Sequence, residues 1–218
     1  MTAAPELADR CQVIENPLSE VFTADPDAIP LPGHVVAIGT AANKNLEATI
    51  AACSTIEGVS LTVVGVMTEQ QREFAERLGV PVTQLSGISD EELASLYRSA
   101  AVVSFPSTAE GFGLPIIEAQ GCGTPVVTSD LPPMNHIANG AALLVDPDDH
   151  HALASALNRA ISREEDIDRM VEAGLRNATE RDSARIAQRY NDVYRSLSLN
   201  IDIDACLLYT SPSPRDRG

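Results

Sequence analysis

The stretch AVVSFPSTAEGFGLPIIEAQGCGTPVVTSD, Ala101 to Asp130, decides the fold. Its ends, AVVSFPS (101–107) and PVVTSD (125–130), are apolar runs without the polar alternation of a half-exposed strand, so each reads as a strand buried on both faces. Between them lie a glycine-containing loop and an apolar helical stretch with Pro115 suited to its first turn. Strand, helix, strand of this kind makes a parallel pair. The same unit repeats outward. HVVAIGT (34–40) leads into NLEATIAACSTI, whose Leu46, Ile50 and Ala51 share a helical face. SLTVVGV (60–66) leads into a helix predicted over 68–78 and closed by Gly79. VTQLSG is a short strand before SDEELASLYRSA, where Ser89 and the acidic residues after it form an N-capping arrangement. GAALLVDP (140–147) is a sixth strand, and after Asp148 the pattern is helical throughout: HHALASALNRAI, EDIDRMVEAGLRNAT and SARIAQRYNDVYRSLSL. The expected fold class is α/β, a Rossmann-like doubly wound parallel sheet with trailing helices.

Composition narrows the function. The chain has 218 residues, enough for one sizeable α/β domain and too few for two full nucleotide-binding domains. With 15 basic against 31 acidic residues the net charge is −16, which opposes binding to nucleic acid. No apolar run reaches the roughly 18–20 residues of a membrane span, and MTAAPELADR lacks the order of a secretory signal. A cytoplasmic protein is expected, with peripheral membrane association of a longer chain as the variant. Cys11, Cys53, Cys122 and Cys206 sit at no metal-ligand or redox spacing, so no metal site is assigned. The string CLLYTSPSPRDRG, from Cys206, resembles a translated sequencing adapter, and residues 205–218 are read as a non-native tail.

Glu110 and Glu118, eight positions apart, frame the candidate site. In doubly wound sheets ligands bind beyond the carboxyl ends of the strands, where the loop over 108–113 must lie. Glu110 is expected to project into that crevice. The helix beginning near Leu114 is expected to aim free N–H groups at it, and Gly111 and Gly113 allow close approach of a ligand to the backbone. Glu118, further into the helix, can accept two hydrogen bonds from a vicinal diol. An anion at the amides and a diol at the carboxylate is the resulting chemistry. A glycosidase-like acid and base pair is the alternative use of two glutamates, and the sheet class and helix amides favour a diphosphate ligand over it.

The segment TAEGFGLPIIEAQGCGTPVVTSD resembles the Glu, seven residues, Glu signature of the retaining glycosyltransferases of family 4, which have the two-domain GT-B fold. The resemblance extends through VIENPLSEVF, AIGTAANKN, LSGISDEELASLYRSA and GAALLVDPDD. It implies the carboxy-terminal, donor-binding half of a hexosyltransferase-type enzyme of glycan biosynthesis. Its substrate would be a nucleoside diphosphate sugar, with no further cofactor and no required metal. By resemblance Lys44 contacts the diphosphate and Glu110 the donor sugar, as the catalytic pair. Gly111, Phe112, Gly113 and Leu114 line the donor, Glu118 holds the ribose, and the Ile88 backbone lies beside the base.

Residues 1–33 would then be interdomain connection and 34–204 the nucleotide-sugar-binding domain. The amino-terminal acceptor domain would be missing, along with its glycan or lipid-linked acceptor, and the fragment by itself would be inactive. Two departures from the family pattern stand out. GTAANKN has no arginine before Lys44, and PPMNHIANG, read as a loop, carries Asn135 and His136 where relatives have Pro-Glu. A non-catalytic nucleotide-sugar-binding module is the second reading. A NAD enzyme is third, because GTAANKN lacks the glycine spacing of a dinucleotide fingerprint.

Overall fold

The structure, a computed structural model, describes residues 12–196. Six short strands form one all-parallel sheet: β1 (His34–Ile38), β2 (Ser60–Val64), β3 (Val82–Leu85), β4 (Val102–Phe105), β5 (Val126–Ser129) and β6 (Leu143–Val145), in the order β3-β2-β1-β4-β5-β6. The chain starts at the middle of the sheet, winds outward to β3, then returns to lay β4 beside β1 in the register Val35 to Val102 and Ala37 to Ser104. That reversal is the switch point of a doubly wound sheet, from which the loops after β1 and β4 leave the sheet side by side.

Strand side chains alternate between two apolar layers, which is why the runs carry no polar face. Val35, Ala37, Leu61, Val63, Val102 and Val127 pack under α1 (Leu46–Cys53), α2 (Glu69–Arg77) and α6 (His150–Ile161). Val36, Val103, Phe105 and Val126 pack on the other side, under α3 (Asp90–Ser99), α4 (Leu114–Gly121) and α5 (Met134–Ala138). On that side α7 (Glu165–Thr179) lies along α4 and adds Ala178 to the layer.

Local chemistry sets the helix starts. Thr68 with Gln71 and Ser89 with Glu92 close capping boxes on α2 and α3, and the Asp149 carboxylate accepts the N–H groups of His151 and Ala152 at the head of α6. The stretch PPMNHIANG differs from expectation, forming α5 instead of a loop. Met134, Ile137 and Ala138 recur at helical spacing and are buried in the second layer, and Asn139 in the left-handed region (φ 50°) ends the turn.

Residues Asn16–Ser183 form one compact unit, and the described residues outside it, 12–15 and 184–196, belong to a second that contains most of α8 (Ser183–Ser196). The first part of the 1–33 connection, the end of the last helical reading and the tail over 205–218 lie outside the described residues. No helix among the described residues is long and apolar enough to cross a membrane. Cys53 and Cys122 are buried free thiols, and burial pushes both up to about 12, which keeps them protonated and unreactive.

Candidate functional site

At the switch point the loop after β1 and the loop after β4 are fastened by polar contacts. The Thr108 N–H donates to the Asn43 carbonyl at 2.8 Å, and Asn43 Nδ2 donates to the Ala109 carbonyl at 2.8 Å. Lys44 Nζ donates to Glu110 Oε1 at 2.7 Å, and both side chains are largely shielded, at 22% and 12% exposure. The structure thus joins Lys44 and Glu110, 66 residues apart, into one ion pair. Lys44 lies two positions ahead of α1. It ends a short 3-10 turn, Ala42–Lys44, and Asn45 (φ 55°) reverses the chain before α1. Its stem lies against Gly39, where a Cβ would stand 2.8 Å from Lys44 Cγ, and its ammonium sits 5.0 Å from the centre of the Phe105 ring.

Beyond this clamp runs a series of open donors. Among the described residues, the backbone N–H groups of Glu110, Gly111, Phe112, Gly113 and Leu114 have no acceptor. Gly113, at φ 101°, is the N-cap of α4 and brings no side chain to compete for them. The helix terminus itself offers less than the sequence suggested. Pro115 has no N–H, and the Ile116 N–H is taken by the Gly113 carbonyl at 3.0 Å. The unpartnered donors of this region therefore lie in the loop amides, next to the Lys44–Glu110 pair. Gly111 is exposed, Phe112 half-buried in the second layer, and Leu114 37% exposed.

Glu118 lies deeper. The Tyr97 hydroxyl of α3 donates to its Oε2 at 3.0 Å, while Oε1 has no protein partner among the described residues. Burial pushes the Glu118 carboxyl above the ordinary glutamate value, the Tyr97 hydrogen bond works against that shift, and the negative charge of Asp90 adds to it. Asp90 opens α3, which packs against α4. Ile88 sits in the loop before α3, after Gly87 (φ 66°), half-buried, with its own N–H and carbonyl unpartnered among the described residues. Tyr97 escaped the sequence reading. Its signal was a phenol in the apolar repeat of α3, where full burial requires a partner for the hydroxyl.

The Asn135 amide donates to Asp130 at 3.0 Å, and His136 is exposed on α5, so neither joins the clamp. A cavity of about 270 Å³ lies at the far end of α4, walled by Leu18, Phe22, Gly121 and Leu175. Its charged lining residues, Glu20 and Asp182, are acidic and do not suit a diphosphate.

Residues 34–177, from β1 to the last turns of α7, match the family model described as glycosyl transferases group 1. The D-inositol 3-phosphate glycosyltransferase of Corynebacterium urealyticum is 38% identical over 129 residues, covering 57% of this chain and 30% of that protein. The sucrose-phosphate synthase of Thermosynechococcus elongatus superimposes with a TM-score of 0.76 at 27% identity, over 85% of this chain and 52% of that one. Anabaena HepE, solved in complex with UDP and glucose, superimposes with a TM-score of 0.72 at 21% identity, over 81% of this chain and 54% of that one. This chain therefore spans under a third of that bacterial relative and about half of the two solved proteins. The family match runs through the loop that carries Lys44, the loop that carries Glu110 and the helix that carries Glu118, and the chain belongs to the glycosyl transferases group 1 family.

Proposed function

We propose that this chain is the donor-binding portion of a retaining family 4 glycosyltransferase that takes a sugar from a nucleoside diphosphate sugar. The observation that carries this reading is the clamp: a shielded Lys44–Glu110 pair beside five consecutive unpartnered amides. Diphosphate oxygens would accept from those amides and from Lys44, while Glu110, next to the same loop, would accept from sugar hydroxyls. Glu118 Oε1 would take the ribose diol and the free backbone of Ile88 the edge of the base. When the bond from sugar to diphosphate breaks, negative charge grows on the departing oxygen, and preorganised donors there are worth about 3–4 kcal/mol each. An acceptor, a glycan or a lipid-linked group, would attack on the face the diphosphate leaves. The share of its relatives that this chain spans supports a piece that binds donor and transfers nothing unaided. A nucleotide-sugar-binding module without catalysis is the same site in another setting.

Thermal denaturation with UDP, GDP, ADP, their glucose or mannose conjugates and NAD tests the reading. A ligand at a hundred times its dissociation constant adds about 2.7 kcal/mol. At least one nucleoside diphosphate is expected to raise the melting temperature and NAD to leave it unmoved. Glu110→Gln is expected to lose the extra stabilisation given by the sugar while keeping that of the diphosphate. A chain that responds to no nucleotide overturns the proposal.

A further inference from the structure

We propose that Tyr97 is a positioning residue of the donor site: its buried phenol fixes Oε2 of Glu118 and leaves Oε1 as the oxygen that accepts from a vicinal diol. The inference rests on the reading of Glu118 as the diol acceptor. Tyr97 is 0% exposed. Its ring packs against Phe22 with centroids 6.1 Å apart, and its carbonyl accepts from the Thr124 hydroxyl at 2.7 Å, so both ring and backbone are held. The hydroxyl has one partner among the described residues, Glu118 Oε2 at 3.0 Å. Phenylalanine would fill the same volume without burying a hydroxyl, so the oxygen finds its use in the carboxylate. Burial, and then the Glu118 charge, push the phenol well above its ordinary value, so it remains a donor across the physiological range.

The other groups around Glu118 leave this role to Tyr97. From α3, the Asp90 charge repels that of Glu118, and the Arg98 guanidinium donates to the Val21 and Thr23 carbonyls. Cys122, one turn further along α4, is a neutral thiol, pushed up to about 12. Asn177 of α7 and Arg181, just beyond its end, engage one another, and Asn177 reaches Gln120, about 200° around α4 from Glu118. The residues that α5 buries are Met134, Ile137 and Ala138, which carry no charge. A donor that favours the carboxylate lowers the pH at which Glu118 becomes protonated, and a protonated Glu118 loses acceptor capacity for a diol.

The test is calorimetric titration of the full chain, as wild type, Tyr97→Phe and Glu118→Gln, with UDP, GDP and ADP and their 2′-deoxy forms between pH 5 and pH 8. Glu118→Gln supplies the background from titration of the phosphates themselves. Tyr97→Phe is expected to bind the ribonucleotide about five- to tenfold more weakly at pH 7, with little change for the deoxy form. Its affinity should also fall away at a higher pH than in wild type. Replacing the tyrosines with 3-fluorotyrosine, a stronger donor of the same shape, should move that midpoint to lower pH, and this arm survives if Tyr97→Phe does not fold. Equal losses for ribo and deoxy forms with an unmoved midpoint would reduce Tyr97 to a packing residue and overturn the proposal. If wild type binds no diphosphate, or Glu118→Gln binds as wild type does, the donor-site reading fails first and takes this inference with it.

Discussion

Glu118 is a carboxylate kept where burial disfavours its charge. Its folded value lies above the unfolded one, so folding takes up a proton only at pH values around those two. The stability this gives is fully present below the ordinary glutamate range, about pH 4.3, and is lost as pH rises through the higher folded value. Glu118→Gln removes the charge and keeps the shape. The variant should melt above wild type at pH 7, and the difference should shrink to nothing near pH 3. Thermal melts across that range check it, and a variant less stable at pH 7 would show that the Tyr97 contact outweighs desolvation. A side chain that costs stability while keeping one oxygen unpartnered is what a ligand-binding residue looks like.

At the scale of elements, two glycines of similar sequence context do different work. Gly121 closes α4 against the lead-in segment, and a Cβ there would stand 2.5 Å from the Phe22 carbonyl oxygen and 2.9 Å from Leu18 Cδ2. Backbone cannot yield as a flexible side chain can. Gly121→Ala should therefore destabilise by about 1–3 kcal/mol despite alanine's better helix propensity. Gly111 has nothing within 4 Å of an added Cβ and no left-handed backbone. Gly111→Ala should leave urea denaturation unchanged. On the proposed site its methyl would crowd the open amides, so it should weaken diphosphate binding. Loss of stability at Gly111, or none at Gly121, would contradict this division.

Across the whole molecule a buried polar network ties α7 to α4 and α5. Asn177 Nδ2 donates to Gln120 Oε1 at 2.7 Å and to the Ile137 carbonyl at 2.8 Å, and Asn177 Oδ1 accepts from Arg181 at 2.6 Å and Asn139 at 3.1 Å. Gln120 donates in turn to the carbonyls of Ala138 and Ala141. Gly174 lets α7 come this close, since a Cβ there would meet Gln120 Cγ at 3.0 Å. Asn177→Ala strands several of these groups at once, each at about 1–3 kcal/mol if left unpaired. It should be the most destabilising of the substitutions named, by 2 kcal/mol or more in that range, measured by urea denaturation. A loss below ~1 kcal/mol would mean that water replaces the amide.

The sequence by itself determined the strands, most of the helices and the parallel class. Continuous apolar runs such as VVAI and VVSF can be satisfied only between two covering layers, and Ser89 and Thr68 mark helix starts by local chemistry. It also placed Glu110, Gly111 and Gly113 on a loop at the rim, because ligand crevices follow from winding order. α5 was read as a loop, since a five-residue helix has too few turns to show a period and is made by burial of Met134 and Ile137. Only the tertiary structure decided that Lys44 meets Glu110, that Asn43 laces the two loops, and that Tyr97 holds Glu118. Those contacts join residues up to 66 positions apart in the chain. Periodicity and capping report what a residue does within its own segment, and distance across a sheet is set by strand order and register, which no single segment contains.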